Sequence, residues 1–181
     1  MSRLPPLETH EMNPEQRRVH DEIANGPRGS VRGPFPVLVR SPGLADHVQK
    51  AGGYLRYESA LPGKLRELAI LTVARHWEAG YEWNAHAPIA ESEGLASGTI
   101  DAIRAGDAPE FSDDAEAVVH AFCTEVLTTR KAGDDTYRAA LDLLGDEGLV
   151  DLVGLMGYYC LVSFTLNVFR IEPPGGPPSF A

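Results

Sequence analysis

Apolar residues recur three and four positions apart along most of the chain, which is the spacing of one face of an α-helix. Proline, glycine and N-cap residues stand between these runs and mark where helices begin and end. The pattern predicts helices over residues 14–26, 42–59, 63–77, 82–94, 98–106, 113–131, 134–144 and 146–170. No stretch alternates as a half-buried strand does, so we expect one all-α domain over residues 1–181 with about seven to nine helices.

Glycine and proline also indicate where the chain departs from regular helix. The segment 26–36 holds too much of both for regular structure, and it carries Arg28 and Arg32. A basic loop in an acidic chain would serve as a lid over an anionic substrate or as an ordinary solvated loop, and both interpretations stay open. Gly52 and Gly53 lie in the middle of a predicted helix, where they indicate a kink or a close helix crossing.

Two predicted helices are apolar around most of their surface, so we expect both to be buried. In the helix 63–77, Glu67 stands among leucine and isoleucine, where a carboxylate needs either a partner or a raised pKa. The helix 146–170 is the most apolar of the chain and contains several glycines, which would let another helix approach closely. We expect it at the centre of the subunit or in an oligomer interface.

The composition is that of an ordinary soluble globular protein, with 43% hydrophobic and 23% charged residues in 181. The net charge of −10 argues against nucleic acid and anionic membrane surfaces as partners, because both bind basic patches. It does not exclude a small anionic substrate, since a few arginines can reverse the local field inside a pocket.

The two cysteines, Cys123 and Cys160, form no CxxC motif and lie in apolar helical patterns, which predicts buried thiols. The first thirteen residues contain no apolar run typical of a secretory signal. No window of about 18 residues is apolar and free of charge, so we expect no transmembrane helix. These features favour a location in the cytoplasm.

The densest group of proton-transfer side chains lies in residues 61–94. Glu82 and His86 are four apart and therefore share one helix face, and Glu67 lies on the preceding helix. A carboxylate and an imidazole one turn apart are suited to general acid–base catalysis, and a second carboxylate can orient the imidazole. A single Glu and His at this spacing indicate a metal site only weakly, so we expect none. A structural hydrogen bond between helices is the non-catalytic alternative.

The run RELAILTVARHW followed by YEWNAHAPIAESEGL resembles the carboxymuconolactone decarboxylase family, which belongs with the alkyl hydroperoxidase D-like (AhpD-like) proteins. The resemblance covers about residues 60–105. Thiol peroxidases of this superfamily carry a CxxC motif twelve and fifteen residues after a glutamate, with a histidine four residues later. Counted from Glu67, those positions hold Ala79 and Glu82, followed by His86. The chain therefore has the EWxxH pattern of the decarboxylase branch and lacks both peroxidase cysteines.

Prolines near both ends of the chain predict an extended arm at residues 1–13 and an extended tail at 172–181. The resemblance implies an AhpD-like helical bundle that assembles as a trimer or hexamer. It also implies a lyase or isomerase that needs no cofactor and acts on a small lactone or keto acid. In that interpretation His86 protonates a carbanion, Glu82 relays the proton and Glu67 holds the imidazole. Arginine, histidine and tryptophan side chains would bind the substrate, and the candidates are Arg32, Arg66, Arg75, His76 and Trp83.

Two other functions remain open at this point. One is a thiol-dependent peroxidase, which the missing cysteines disfavour because peroxide reduction needs a thiolate and a resolving thiol. The other is a non-catalytic oligomeric binding or scaffold protein that keeps the Glu–His hydrogen bond. A cavity next to Glu67, Glu82 and His86 would favour an enzyme, whereas a dry core around them would favour the scaffold.

Overall fold

The computed structural model describes residues 2–173, 175–176 and 180, which form a bundle of α-helices without a β-strand. Among these residues a 3₁₀ helix, Thr9–Glu11, precedes eight α-helices: α1 Pro14–Asn25, α2 Phe35–Leu38, α3 Pro42–Tyr57, α4 Gly63–His76, α5 Gly80–Ser92, α6 Ser97–Ala105, α7 Asp114–Thr129 and α8 Asp134–Phe169. α8 is broken at Gly145, whose φ of 67° and ψ of 179° are not helical, as the two separate predictions 134–144 and 146–170 require. The prediction of an all-α fold is confirmed.

α4 lies at the centre of the bundle and contacts α5, α6, α7 and α8. Four consecutive residues from Leu68 to Leu71 are fully buried, and four successive positions reach around the whole circumference of a helix. α4 is therefore surrounded by other elements over this stretch. Glu67, the preceding residue, is only 2% exposed, so the expected buried carboxylate is present.

A tight turn folds α5 back along α4. Glu78 adopts the left-handed conformation with φ of 48°, and the Ala79 N–H donates to the Ala74 carbonyl at 2.8 Å. With the Glu78 N–H donating to the Arg75 carbonyl at 3.1 Å, these bonds form a Schellman motif that ends α4. Because α5 begins two residues later, positions on either side of the turn, such as Glu67 and His86, come to lie opposite each other.

A second, smaller core holds the N-terminal elements together. Val19 and Ile23 of α1 are buried against Phe35 of α2 and Val48 of α3. This packing fixes both ends of the glycine- and proline-rich segment 26–34. The segment is therefore anchored against the bundle although it has no regular structure of its own.

α8 is apolar on two opposite sides, only one of which is buried in the core. Leu152, Leu155 and Tyr159 are buried in the core, whereas an opposite stripe of α8 leaves Val150 70% exposed and Val153 53% exposed. By length and composition alone α8 could cross a membrane. The expectation that no window of about 18 residues is apolar and free of charge is therefore wrong, because residues 152–169 contain no charged side chain. Since 56% of its most apolar window is buried inside the protein, the core helix of a soluble protein explains it equally well.

Helix starts follow the sequence signals at most positions. The Asn13 side chain accepts from the Gln16 N–H at 2.9 Å, and the Gln16 side chain accepts from the Asn13 N–H at 3.0 Å, which together form a capping box at the start of α1. Asp113 caps α7, and its side chain accepts from the Glu116 N–H at 2.9 Å. Ser97 does not cap α6; it is the first helical residue, and Ala96 occupies the cap.

The arm and the tail are described only in part. The Arg3 N–H donates to the Phe169 carbonyl at 2.8 Å, so the beginning of the arm 1–13 is tied to the end of α8, and the arm includes the short 3₁₀ helix rather than being extended throughout. Residues 1, 174, 177–179 and 181 lie outside the described residues, so half of the predicted tail 172–181 is not described.

Candidate active site

His86 lies between two buried carboxylates. Its Nδ1 is 2.6 Å from Oε2 of Glu67, and its Nε2 is 3.3 Å from Oε2 of Glu82. Exposure is 3% for His86, 2% for Glu67 and 5% for Glu82, so none of the three is solvated in the ordinary way. The three residues that the sequence singled out as a catalytic group therefore make one contiguous hydrogen-bonded cluster.

The local sequence explains how the cluster forms. Glu82 and His86 are one turn apart on α5, and the α4–α5 turn brings Glu67 against the other side of the imidazole. Glu82 also lies in the first turn of α5, where the positive end of the helix dipole stabilises a carboxylate. The geometry therefore places the imidazole between the carboxyl groups of two different helices.

Tyr159 of α8 is a fourth member of this cluster. Its hydroxyl is 3.2 Å from Nε2 of His86, and the two rings meet edge to face with centroids 5.2 Å apart. Burial keeps the pKa of Tyr159 well above its usual value, so the hydroxyl stays protonated. It donates to a neutral Nε2, and its oxygen accepts from a protonated one, so it supports both protonation states of His86.

His86 is held in its charged form by its neighbours. Burial by itself lowers the pKa of His86, but the hydrogen bonds and negative charges of Glu67 and Glu82 outweigh the burial and raise that pKa above its usual value. The cluster then contains an imidazolium between two carboxylates. Such an imidazolium can act as a general acid, and the proton that it gives up is replaced from solvent.

A cavity of about 70 Å³ opens directly beside this cluster. Glu82, His86 and Tyr159 form its inner wall, and three arginines belong to its outer walls, Arg28 and Arg32 from the segment 26–34 and Arg56 from α3. Burial tends to lower the pKa of Arg56, but Tyr159, Tyr57, Glu67 and Glu82 raise that pKa above its usual value, so Arg56 stays charged. Three guanidinium groups make the cavity attractive to an anion.

Two tyrosines fasten the segment 26–34 over the cavity. Arg28 Nη2 donates to the Tyr158 hydroxyl at 3.0 Å, and the Gly33 N–H donates to the Tyr81 hydroxyl at 3.1 Å. Gly33 has a φ of +63°, and a Cβ there would lie 3.3 Å from the Tyr81 ring, so glycine suits this position for two reasons. The segment covers the cavity through side chains and backbone that are directly bonded to its walls.

The other residues proposed from the sequence to bind substrate lie in different places. Of the five, only Arg32 lines the cavity. The guanidinium of Arg66 contacts the far side of the cluster, with Nε 3.5 Å from Oε1 of Glu67. Arg75 and His76 line a separate groove, and Trp83 is 2% exposed and packs against Phe180.

The functional residues that the sequence interpretation missed are Arg56, Tyr81, Tyr158 and Tyr159. They come from α3, α5 and α8, and no spacing rule connects α3 or α8 with His86. The one available signal was the polar character of Tyr158 and Tyr159 within the most apolar helix, because a buried tyrosine hydroxyl generally needs a hydrogen-bond partner.

Neither cysteine lies in this cavity. Cys123 is fully buried in the main core, and burial raises its pKa far above the usual value. Cys160 is half-buried, and burial raises its pKa as well, although the indole N–H of Trp77, which donates to its sulfur at 3.2 Å, opposes the change. Both environments favour the thiol over the reactive thiolate.

Comparisons with known proteins agree with this architecture. Residues 42–122 match the sequence profile of the carboxymuconolactone decarboxylase family. The fold is similar to the alkylhydroperoxidase AhpD core of an uncharacterised peroxidase-related protein from Ralstonia eutropha, with a TM-score of 0.75, 18% identity, and 95% of this chain and 92% of that chain covered.

A second similar structure is a protein of unknown function from Agrobacterium tumefaciens, for which an antioxidant defence role of the AhpD kind has been suggested. It has a TM-score of 0.66 and 16% identity, and the match covers 79% of this chain and 99% of that chain. At these identities the two structures establish the fold alone. No curated protein sequence matches the chain.

Proposed function

We propose that the chain is a member of the carboxymuconolactone decarboxylase family, whose profile residues 42–122 match, and that it is a lyase or isomerase that uses acid–base chemistry without a cofactor. The proposed substrate is a small keto acid or lactone acid. The observation that carries the proposal is the position of His86. It lines an arginine-lined cavity together with Glu82 and Tyr159, the two partners of its Nε2, while its Nδ1 is held by Glu67. A sealed, dry core would have favoured the scaffold alternative.

The arrangement suggests a simple reaction. Arg56, Arg28 or Arg32 binds a substrate carboxylate, and cleavage of a carbon–carbon bond next to a carbonyl group releases CO₂ and leaves an enolate. The protonated Nε2 of His86 transfers its proton to the enolate carbon, and the neutral imidazole keeps its Nδ1 proton bonded to Glu67. A proton from solvent then returns to Nε2, either directly or by way of Glu82. Acid–base assistance of this kind contributes about 10²–10⁴-fold to a rate.

The closed cavity is smaller than such a substrate. Ligand pockets are commonly about 300–1,000 Å³, and the 70 Å³ here holds little more than a carboxyl group or a few water molecules. We therefore expect the segment 26–34 to act as a lid that releases Tyr158 and Tyr81 when substrate enters. This is the lid interpretation of the basic loop.

Assembly and location are part of the same proposal. The exposed apolar stripe of α8, which includes Val150 and Val153, suits burial against another copy of the chain, in keeping with a homotrimer or homohexamer. We expect the protein to act in the cytoplasm, with no nucleic-acid or membrane partner.

A thermal-shift screen over small keto acids and lactone acids tests the substrate class. At about 100 times its Kd, a ligand stabilises a protein of this size by roughly 5–10 °C. We expect at least one carboxylate of the panel to do so for the wild type. His86→Ala and Arg56→Met should lose most of the effect because each removes part of the cavity wall.

Arg104→Met provides the matched control. Arg104 is exposed on α6, pairs with Asp101 at 2.7 Å and lies outside the cavity, so its replacement should leave the shift unchanged. A carboxylate that stabilises both Arg56→Met and His86→Ala as strongly as the wild type would place anion binding outside this cavity. A panel in which no acid or lactone stabilises the wild type would remove the substrate class from the proposal.

A further inference from the structure

A larger groove of about 540 Å³ lies at a different place on the bundle and shares no lining residue with the His86 cavity. One wall is the face of α4 that carries Thr72, Arg75 and His76. The opposite wall is a stripe of α7, and the connection between α6 and α7 closes one end. Its volume falls within the range of small-molecule binding sites.

The walls of this groove are fixed by hydrogen bonds. Gly106 ends α6 with a φ of 82°, and the Asp107 N–H donates to the Ala102 carbonyl at 3.0 Å. Further along the connection, the Thr99 hydroxyl donates to the Glu110 carbonyl at 2.6 Å. The groove is therefore present before any ligand arrives, and little conformational entropy is lost when a ligand binds.

The inner surface is mainly apolar. Ile103, Phe111 and Leu127 contribute large hydrophobic side chains, and the Phe111 ring lies 5.2 Å from the ring of His120 at a tilt of 49°. Of the charged residues at the rim, Asp107 is negative and Arg75 is positive, with Arg75 also 3.7 Å from Glu78. Because these two charges have opposite signs, the groove favours an uncharged molecule over an anion or a cation.

His120 supplies a hydrogen-bonding group inside this apolar surface. It is half-buried, and its ring nitrogens make no hydrogen bond within the described part of the chain. Burial lowers its pKa below the usual value, so the imidazole is neutral and presents one donor and one acceptor. A half-buried imidazole without a protein partner is satisfied only by water or by a ligand hydroxyl.

We propose that this groove is a second small-molecule site that binds a neutral aromatic alcohol. The aromatic ring packs between Ile103, Leu127 and the edge of Phe111, and the hydroxyl group exchanges a hydrogen bond with His120. The groove does not depend on the proposed chemistry at His86, because no residue lines both the groove and the His86 cavity.

Fluorescence titration with 2-naphthol tests the proposal directly. We expect saturable binding of one molecule per chain to the wild type below about 1 mM. Thr124→Trp, which introduces an indole into the groove from α7, should weaken binding by at least about tenfold. His120→Phe keeps a ring of similar shape but removes the hydrogen bond, so it should weaken binding by about three- to tenfold.

Two control variants complete the design. Ala121→Trp places the same indole on an exposed position of α7 that does not line the groove, and His86→Gln alters the other cavity. Both should bind 2-naphthol as the wild type does. The proposal is overturned if the wild type shows no saturable binding, if Thr124→Trp binds as tightly as the wild type, or if His86→Gln weakens binding as much as His120→Phe.

Discussion

Replacing His86 with glutamine lowers the rate of proton transfer at a substrate carbon by about 10²–10⁴-fold. Glutamine fills a similar volume and can still donate a hydrogen bond to Glu67, but it carries no titratable proton. The measurement is the exchange of carbon-bound hydrogen for deuterium in D₂O, followed by NMR, on a keto acid that stabilises the wild type. The exchange isolates the protonation step from the cleavage step.

Two comparisons make this result specific. His20→Gln changes a partly buried histidine of α1 that lies outside the cavity, and it should leave the exchange rate unchanged, as should the double variant Cys123→Ser/Cys160→Ser. If the cysteine double variant loses activity, the thiol-dependent alternative gains and the acid–base account fails. If His86→Gln keeps more than about a tenth of the wild-type rate, the imidazole is not the proton donor. Circular dichroism checks that each variant is folded.

Gly52→Ala destabilises the protein, whereas Gly53→Ala, one residue further along α3, stabilises it. A Cβ on Gly52 would overlap with the Tyr158 hydroxyl and the Arg28 guanidinium, so the pair that holds the lid has to move. Overpacking of this kind costs about 1–3 kcal/mol. A Cβ on Gly53 meets nothing within 4 Å, and alanine there gains about 0.5–1 kcal/mol from helix propensity. Urea unfolding measures both changes.

A shift of Tyr158 caused by Gly52→Ala should also affect the active site, because the Tyr158 and Tyr159 rings pack edge to face with their centroids 5.3 Å apart. Gly52→Ala should therefore also lower the affinity for a stabilising acid, while Gly53→Ala should not. Equal stability changes in the two variants would contradict the close approach of Tyr158 to α3. If Gly52→Ala is destabilised but binds the acid with unchanged affinity, the contacts that hold the lid do not influence binding in the cavity.

The sequence predicted the parts of the site that lie within one helix or one hairpin. Glu82 and His86 share a face of α5 because they are four residues apart, and Glu67 was expected to need a partner because its neighbours are apolar. The glycine pair in α3 was read as a kink or a close crossing, and the approach of Tyr158 to Gly52 corresponds to the crossing. Each of these inferences depends on local periodicity or local composition.

The remaining parts of the site depend on packing that no local pattern determines. Tyr159 is 73 residues from His86, and α8 is apolar on both sides, so periodicity did not indicate which face meets the cluster. The same ambiguity affects the arginines of α4. Because α4 is surrounded, the sequence did not distinguish Arg66, which contacts Glu67, from Arg75, which lines the separate groove.

The proposed acid–base role depends on the charge of His86, which nitrogen-15 NMR of histidine-labelled protein measures directly. We predict one imidazolium that persists above the usual pKa of histidine, is missing from His86→Gln, and changes its titration when a stabilising acid occupies the cavity. The sign follows from the two carboxylates, which favour the protonated ring. A His86 ring that is neutral below the usual pKa, or that does not respond to any stabilising acid, would contradict the proposed acid–base role.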